Sequence, residues 1–365
     1  MTLKEIAREA GVSAMTVSNV VNHNDAKVSE ETRKRVQAVI DKYGYVPNMS
    51  ARSLSAQNSR IIALMLPIQI EEEKLQEIAQ VDPAAAESIK NTLADYYSSV
   101  MVGYLESKLK PMGYYTMLRS FYRAEEVLEL QRNWKVDGCI LLMPKISDAE
   151  NRMILTQSQC PVVLIDRFYP DLPMLSVGSD GYHGGYLAAQ ECIRFGHRKI
   201  AFVSTGAPEA VHCSTIIQNR YDGYLAALRE ASIPAEEELL LGFHSSLSGG
   251  RSCGRYILSL EKEKRPTALV MASDALAIGA VAALKEGGLR VPEDISVIGY
   301  DDLPMSALID PPLTTISQDL DAKASAAAAL LKMKIDNPEM AGRQTLLDVK
   351  LARRSTVGPV PAGNG

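Results

Sequence analysis

The sequence predicts an α/β protein: a small all-helical head, a short polar linker, and a body of two doubly wound parallel-sheet lobes. Three observations carry that expectation. The first sixty residues show helical periodicity and no strand-like run. From residue 61 onward, short apolar runs alternate with amphipathic segments of about 12–18 residues, the pattern of βαβ units. More than ten such elements follow one another to the end of the chain, which points to two sheets.

The head begins with TLKEIAREA, which places Leu3, Ile6, Ala7 and Ala10 on one helical face. Thr2 and Glu5 have the spacing of a capping box. Gly11 turns the chain, because glycine tolerates positive φ. Ser13 caps a second helix through about Asn22, with Val17, Val20 and Val21 inward. After the polar loop NHNDAKV, Ser29 caps a third helix. Glu30 and Glu31 sit near its positive end, Val36, Val39 and Ile40 form its apolar stripe, and Gly44 and Pro47 end it. NMSARSLSAQNS has no core of its own and reads as a linker.

In the body the strand-like runs include IIALML (61–66), YYTML (114–118), GCILLM (138–143), PVVLID (161–166), KIAFVS (199–204), TALVMA (267–272) and DISVIGY (294–300). Such runs fit strands covered on both faces. In open α/β sheets ligands sit beyond the carboxyl ends of the strands. Asp166, Ser273 and Asp301 fall at such ends.

Composition narrows the classes. The net charge of −5 excludes a wholly basic nucleic-acid coat. Residues 1–60 nevertheless carry +3 and the remainder −8, so a basic head on an acidic body is expected to meet a polyanion. No apolar run is long enough to span a bilayer, and MTLKEIAREAG is charged from its fourth residue, so a cytoplasmic protein with no membrane partner is expected. Cys139, Cys160, Cys192, Cys213 and Cys253 are scattered without a CxxC pair or zinc spacing; no metal or cofactor is expected. There is no G-x-S-x-G elbow, P-loop or HExxH, and GYHGGY (181–186) matches a nucleotide loop only loosely and starts a helix. An enzyme is not expected.

The motif with most chemistry is AGVSAMTVSNVVN (10–22). Ala7, Gly11 and Val17, at spacings of four and six, fit a helix-turn-helix in which Ala7 lets the helices cross, Gly11 turns and Val17 plugs the pair. The outward face carries Ser13, Ala14, Thr16, Ser18, Asn19 and Asn22, small groups suited to phosphates and base edges. Spacing alone also allows a generic helical hairpin.

TLKEIAREAGVSAMTVSNVVN, VSEETRKRV, YVPN and ARSL together resemble the DNA-binding head of the lactose/galactose repressor family. GHRKIAFVS, NRYDGYLAAL, RPTALVMASDALAIGAVAALKEGGLRVPEDISVIGYDD, PPLTTISQD and RRST extend the resemblance, in order, through nearly the whole chain. The resemblance implies a homodimer whose heads read the halves of a pseudo-palindromic double-stranded operator, and a periplasmic-binding-protein-like core that closes on a small effector, a sugar or sugar derivative. It implies a head at 1–46, a hinge helix at 47–59, an N-terminal lobe at 60–176 plus 318–347, a C-terminal lobe at 177–317 plus 348–358, and a tail at 359–365.

Carried over by position, Ala14, Met15 and Asn19 are the readers, with Thr16 and Ser18 turned toward the backbone. Leu3, Lys4, Ser13, Asn22, Lys27, Ser29, Thr32, Tyr45, Asn48, Ala51 and Arg52 complete the DNA-facing set. Many members have Arg where this chain has Asn19; Arg forks onto guanine and Asn prefers adenine, so a different base is expected there. Leu54 matches the leucine that wedges into a minor-groove step. In the cleft, Arg220 and Asp301 match the paired hydroxyl-binding residues, Tyr96 and Tyr97 the aromatic pair, and Asp166, His244, Ser273 and Gln318 other lining positions. Ser273 replaces the usual Asn, and Leu142 a polar contact found in some members; the effector is therefore expected to be less hydroxylated or differently shaped than the usual hexoses.

Between IIALMLP and YYSSVM about two dozen residues are extra, around 71–93, a surface helical elaboration, or else a lid or partner-docking patch near the cleft mouth. Two other functions fit the core: a solute-binding protein of transport type, and a catabolite regulator that docks a phosphorylated carrier protein. Asp310 stands where the latter branch has arginine.

Overall fold

The computed structural model describes residues 2–21, 27–44, 59–67, 76, 80, 96–142, 147–205, 208 and 215–361. The expectations for Asn22, Tyr45, Asn48, Ala51, Arg52, Leu54, the hinge helix and all but two residues of the 71–93 insertion lie outside that set. The chain forms two compact units, residues 1–60 and 61–365.

Among its described residues the first unit holds three helices: α1 (Leu3–Glu9), α2 (Ala14–Val21) and α3 (Glu30–Tyr43). Their caps are those the sequence specifies. Thr2 and Glu5 close a capping box, the Thr2 amide donating to Glu5 Oε2 at 2.7 Å. Ser13 Oγ accepts from the Thr16 amide at 3.1 Å, and Ser29 Oγ from the Thr32 amide at 3.3 Å. Gly11 (φ +63°) and Gly44 (φ +57°) occupy the left-handed region, where a side chain is strained. Ile6, Ala7, Ala10, Val17, Val20 and Val36 make the core. Arg35 ties α3 to the end of α1, its Nε donating to the Ala10 carbonyl at 2.9 Å.

Among its described residues the second unit holds two six-stranded sheets. The first is built from β1 (Ile61–Pro67), β2 (Tyr115–Phe121), β3 (Gly138–Leu142), β4 (Val162–Ile165), β5 (Leu175–Ser179) and β11 (Arg343–Leu347). Helices α4 (Tyr96–Leu109), α5 (Ala124–Trp134), α6 (Asp148–Gln157) and α11 (Leu320–Asp336) cover it. The second is built from β6 (Ile200–Thr205), β7 (Leu240–Phe243), β8 (Ala268–Met271), β9 (Ser296–Asp301), β10 (Thr314–Ser317) and β12 (Lys350–Ala352). Its helices are α7 (Gly181–Arg194), α8 (Thr215–Glu230), α9 (Leu247–Ser259) and α10 (Asp274–Glu286). The orders are β11-β5-β4-β3-β1-β2 and β12-β10-β9-β8-β6-β7; every pairing is parallel except β10 with β12.

The strands β1, β3, β4, β6, β8 and β9 are buried on both faces, which is why they read as continuous apolar runs, whereas β2, β7, β11 and β12 keep half-buried or exposed residues. In β1, Ile62 and Leu64 enter one core while Ala63 and Met65 enter the other. In β8, Ala268 and Val270 face one side and Leu269 and Met271 the opposite side.

The chain passes between the sheets three times: after β5, after β10 and after β11. The changeover expected at 176/177 instead follows Ser179, since LSVGS pairs with both β4 and β11. Its alternating small polar residues hide a strand from an apolar-run criterion. The segment expected as a tail from 359 is tied down at its start, where the Val360 amide donates to the Phe195 carbonyl at 3.0 Å.

Candidate DNA-reading face and effector cleft

In the head, burial of Val17 and Val20 turns the opposite side of α2 outward. Met15 is 71% exposed. Ser13 is exposed, Thr16, Ser18 and Asn19 are half-exposed, and Thr16 Oγ1 lies 2.9 Å from Ser13 Oγ. Lys4, Lys27 and Ser29 are exposed and Thr32 half-buried. Leu3 and Ala14 lean partly against the apolar core, so they offer less surface than their neighbours. Hydroxyl and amide groups on the exposed side of a two-turn helix, with the exposed lysines Lys4 and Lys27 elsewhere in the head, are suited to a major groove.

In the body, polar side chains from both sheets meet. Asp166 follows β4 with φ +59°, a left-handed conformation that short polar residues tolerate. One carboxylate oxygen accepts from the Tyr97 hydroxyl on α4, and the other from Lys323 Nζ on α11 at 2.7 Å. Lys323 Nζ also donates to Gln318 Oε1 at 2.8 Å and to Tyr97 Oη at 3.1 Å. Gln318, just past β10, passes its amide to Asp301 at the end of β9. One hydrogen-bonded chain therefore runs from the carboxyl end of a first-sheet strand to that of a second-sheet strand.

Arg220 enters from α8. It donates to the Ala272 carbonyl beyond β8, and its guanidinium carbon lies 3.6 Å from the Tyr300 ring centroid. Neither Arg220 Nε nor the Tyr300 hydroxyl, both buried, has a hydrogen-bond partner among the described residues. Glycines set this geometry. A Cβ at Gly184 would lie 2.3 Å from the Tyr300 hydroxyl, and one at Gly185 1.8 Å from the Arg220 carbonyl oxygen.

Ser273 caps α10 and lies 3.0 Å from Ser245 Oγ, beside the Arg220–Ala272 contact. His244 is exposed at the end of β7, its Nδ1 3.4 Å from Ser246 Oγ. Tyr96 and Tyr97 part company, as successive helical residues must: Tyr96 is 38% exposed and Tyr97 5%. The structure thus brings Tyr97, Asp166, Gln318 and Asp301 together. Arg220 and Ser273 stand on the second-sheet wall, and Tyr96 and His244 are more exposed.

Burial shifts the groups at the bottom of the cleft. It raises the Tyr97 hydroxyl well above its ordinary value, an effect Asp166 reinforces. It lowers Lys323, against the pull of Asp166. It pushes Tyr300 up to about 12. Asp274, at the start of α10, is also raised by burial, opposed by hydrogen bonds from Ser306 and Thr315. Lys323, Tyr300 and Asp274 do not figure among the residues picked out from the sequence. For Lys323 a signal was present: it lies on the helical face of Leu320, Ala324, Ala327 and Leu331, all buried. A lysine on an apolar stripe needs a partner.

Fold and site together define a class, a helix-turn-helix head carried by a receptor core of the periplasmic-binding-protein type. Residues 2–48 match the family described as "Bacterial regulatory proteins, lacI family", and residues 189–357 the "Periplasmic binding protein-like domain". The HTH-type transcriptional repressor PurR of Aliivibrio fischeri (strain ATCC 700601 / ES114) is 30% identical over 365 residues, covering 98% of each chain. The ribose operon repressor of Haemophilus influenzae is 30% identical over 359 residues, again covering 98% of each. The crystal structure of the Lac repressor dimer bound to operator and the anti-inducer ONPF aligns with a TM-score of 0.79 at 27% identity, over 98% of this chain and 99% of that one. The chain belongs to the lacI family of bacterial regulatory proteins, a family of DNA-binding transcriptional repressors.

Proposed function

We propose that the protein is a homodimeric repressor whose two heads bind a pseudo-palindromic operator under the control of a small hydroxylated effector, a sugar or sugar derivative, held between the two lobes. Ala14, Met15 and Asn19 read bases, and Lys4, Ser13, Thr16, Ser18, Lys27, Ser29 and Thr32 hold the backbone. Leu3, Asn22, Tyr45, Asn48, Ala51 and Arg52 add contacts, and Leu54 wedges the minor groove. Arg220 and Asp301 take adjacent hydroxyls, with Tyr96, Tyr97, Asp166, His244, Ser273 and Gln318 around them.

The observation that carries the reading is the polar chain from Asp166 through Lys323 and Gln318 to Asp301. It puts hydrogen-bonding capacity at the carboxyl ends of both sheets, where a ligand couples the position of one lobe to the other. The operator-bound Lac repressor dimer and the ribose operon repressor support the DNA and sugar parts.

The test is operator selection from random duplexes, followed by gel shifts with and without a panel of sugars. A two-fold symmetric consensus is expected, with a shift that at least one sugar changes. Absence of any sequence-selective shift would overturn the proposal. Asn19→Arg is expected to change the preferred base at one position per half-site, toward guanine.

A further inference from the structure

We propose that Cys139 and Cys160 form an oxidant-responsive pair, which a hydroperoxide converts into an intramolecular disulfide beside the first sheet. The pair stands apart from the effector reading of the cleft. Both residues are free thiols in this structure, and their sulfurs lie 3.8 Å apart. Cys139 is wholly buried in β3; Cys160 is half-buried in the turn between α6 and β4, just before Pro161. Both pack into the same apolar layer, with Ala63, Leu141 and Ile154. Cys160 precedes β4 and Asp166 follows it, so the thiols and the cleft residues occupy opposite ends of that strand.

Neighbouring groups hold the two sulfurs together. The Cys139 amide donates to the Pro161 carbonyl at 2.9 Å, which fixes the residue after Cys160 beside β3. Gln131, 4% exposed on α5, brackets the turn from the other side. Its Nε2 donates to Ser158 Oγ at 3.0 Å and lies 3.6 Å from Cys139 Sγ, while its Oε1 accepts from the Gln159 amide at 3.0 Å. One buried side chain thus holds the two residues before Cys160 and touches the sulfur that Cys160 faces. Going from 3.8 Å to a bond of about 2.05 Å brings the sulfurs about 1.8 Å closer, within the swing of a turn residue about χ1.

The half-buried Cys160 meets the oxidant first. Its sulfur, having lost its proton, attacks the outer oxygen of the hydroperoxide. The O–O bond breaks, the alcohol or water departs with that proton, and Cys160 is left as a sulfenic acid. Cys139 then attacks this sulfur: the S–S bond forms, the S–O bond breaks, and hydroxide leaves as water with the Cys139 proton. Two thiols have given two electrons to one hydroperoxide. The Cys139 sulfur and burial both hold the Cys160 thiol above its ordinary value, so thiolate is scarce and the first step is slow. The pair therefore responds to sustained exposure.

The experiment exposes the folded full chain to about 1 mM hydrogen peroxide for about an hour, unfolds it, blocks remaining thiols with N-ethylmaleimide and maps tryptic peptides. Oxidation of the exposed Met15 shows that the dose was sufficient. Peptides 136–145 and 153–167 are expected joined in at least about half of the chains, and separate again after dithiothreitol. Cys192 and Cys253, wholly buried in the second lobe, are expected to remain thiols. Cys160→Ser and Cys139→Ala should each abolish the link, and dimedone should label Cys160 in Cys139→Ala. Recovery of Cys139 and Cys160 as separate blocked thiols in chains whose Met15 is oxidised overturns the proposal. So does a link from either to a different cysteine or a second chain, or a sulfinic Cys160 beside an untouched Cys139.

Discussion

Gly185→Ala tests whether α7 and α8 meet backbone to backbone beside the cleft. A Cβ there would lie 1.8 Å from the Arg220 carbonyl oxygen and 2.9 Å from Arg220 Cα. Ordinary contact begins near 3.4 Å, so the helices must separate by roughly 1.6 Å. No rotamer relieves the clash, because both partners are main chain. On the far side of the same crossing, Gly223 is as tight, its Cβ position lying 1.9 Å from the Tyr182 carbonyl oxygen. Overpacking of this kind costs about 1–3 kcal/mol, and two rigid helices place it at the upper end. At about 2 °C per kcal/mol for a body of this size, the melting temperature should fall by about 6 °C. Arg220 moves with its helix, so its bond to Ala272 and its stack on Tyr300 weaken. Any sugar that stabilises the parent should then bind about 10–100-fold less well. Gly103→Ala in α4 is the internal control. Nothing lies within 4 Å of a Cβ at that position, so helix propensity should give a gain of up to about 1 kcal/mol. Scanning calorimetry of both variants decides; a Gly185→Ala protein that melts within a degree of the parent refutes the close helix contact.

Three further outcomes follow from buried polar groups and one cap. His197 is fully buried, with Nδ1 2.9 Å from Thr267 Oγ1 and Nε2 3.0 Å from Ser296 Oγ and from the Gly358 carbonyl, and burial lowers its pKa. A depressed histidine contributes stability that is complete above the unfolded value near 6.5 and declines as pH falls below it. His197→Gln should be about 1–3 kcal/mol less stable at pH 7.5, with the gap closing toward pH 5 in urea titrations. Asp274→Ala strands the Leu303 amide and the Ser306 and Thr315 hydroxyls, all bonded to that carboxylate, and should cost at least about 3 kcal/mol by urea unfolding. Ser29→Ala removes the α3 cap and should destabilise the head by about 1 kcal/mol, seen as earlier loss of helix without change in the melting of the body.

Much of the fold could be read from residue order because its signals are local. The head's caps and Gly11 specify helix ends by themselves, and β1, β3, β4, β6, β8 and β9 are buried on both faces, so their runs stay apolar. β5, β7 and β10–β12 escape that criterion. They are three to five residues long, and LSVGS or TTIS mixes hydroxyls into the strand. Which strand pairs with which is settled by contacts far apart in sequence, such as β11 beside β5. The cleft divides the same way. Asp166 and Asp301 announce themselves at strand ends, and Gln318 follows a short strand. Lys323 looks like one more surface lysine until the face it shares with Leu320 and Ala327 is seen to be sealed. Asp274 directly follows Ser273, but its partners Ser306 and Thr315 lie more than thirty residues on.

The placement of β11 and β12 bears on how the protein is made. Residues 343–347 finish one sheet and residues 350–352 finish the other, after every other strand has left the ribosome. Neither lobe can close its last edge until residues 343–352 have been made, whereas the helices of the head lie within the first few dozen residues and can fold early. A ribosome that stalls or terminates near codon 340 would therefore release a DNA-competent head on a receptor lacking an edge on both sides. Such a product would be prone to aggregation through those edges and to degradation, which guards the cell against a reader that has lost its sensor.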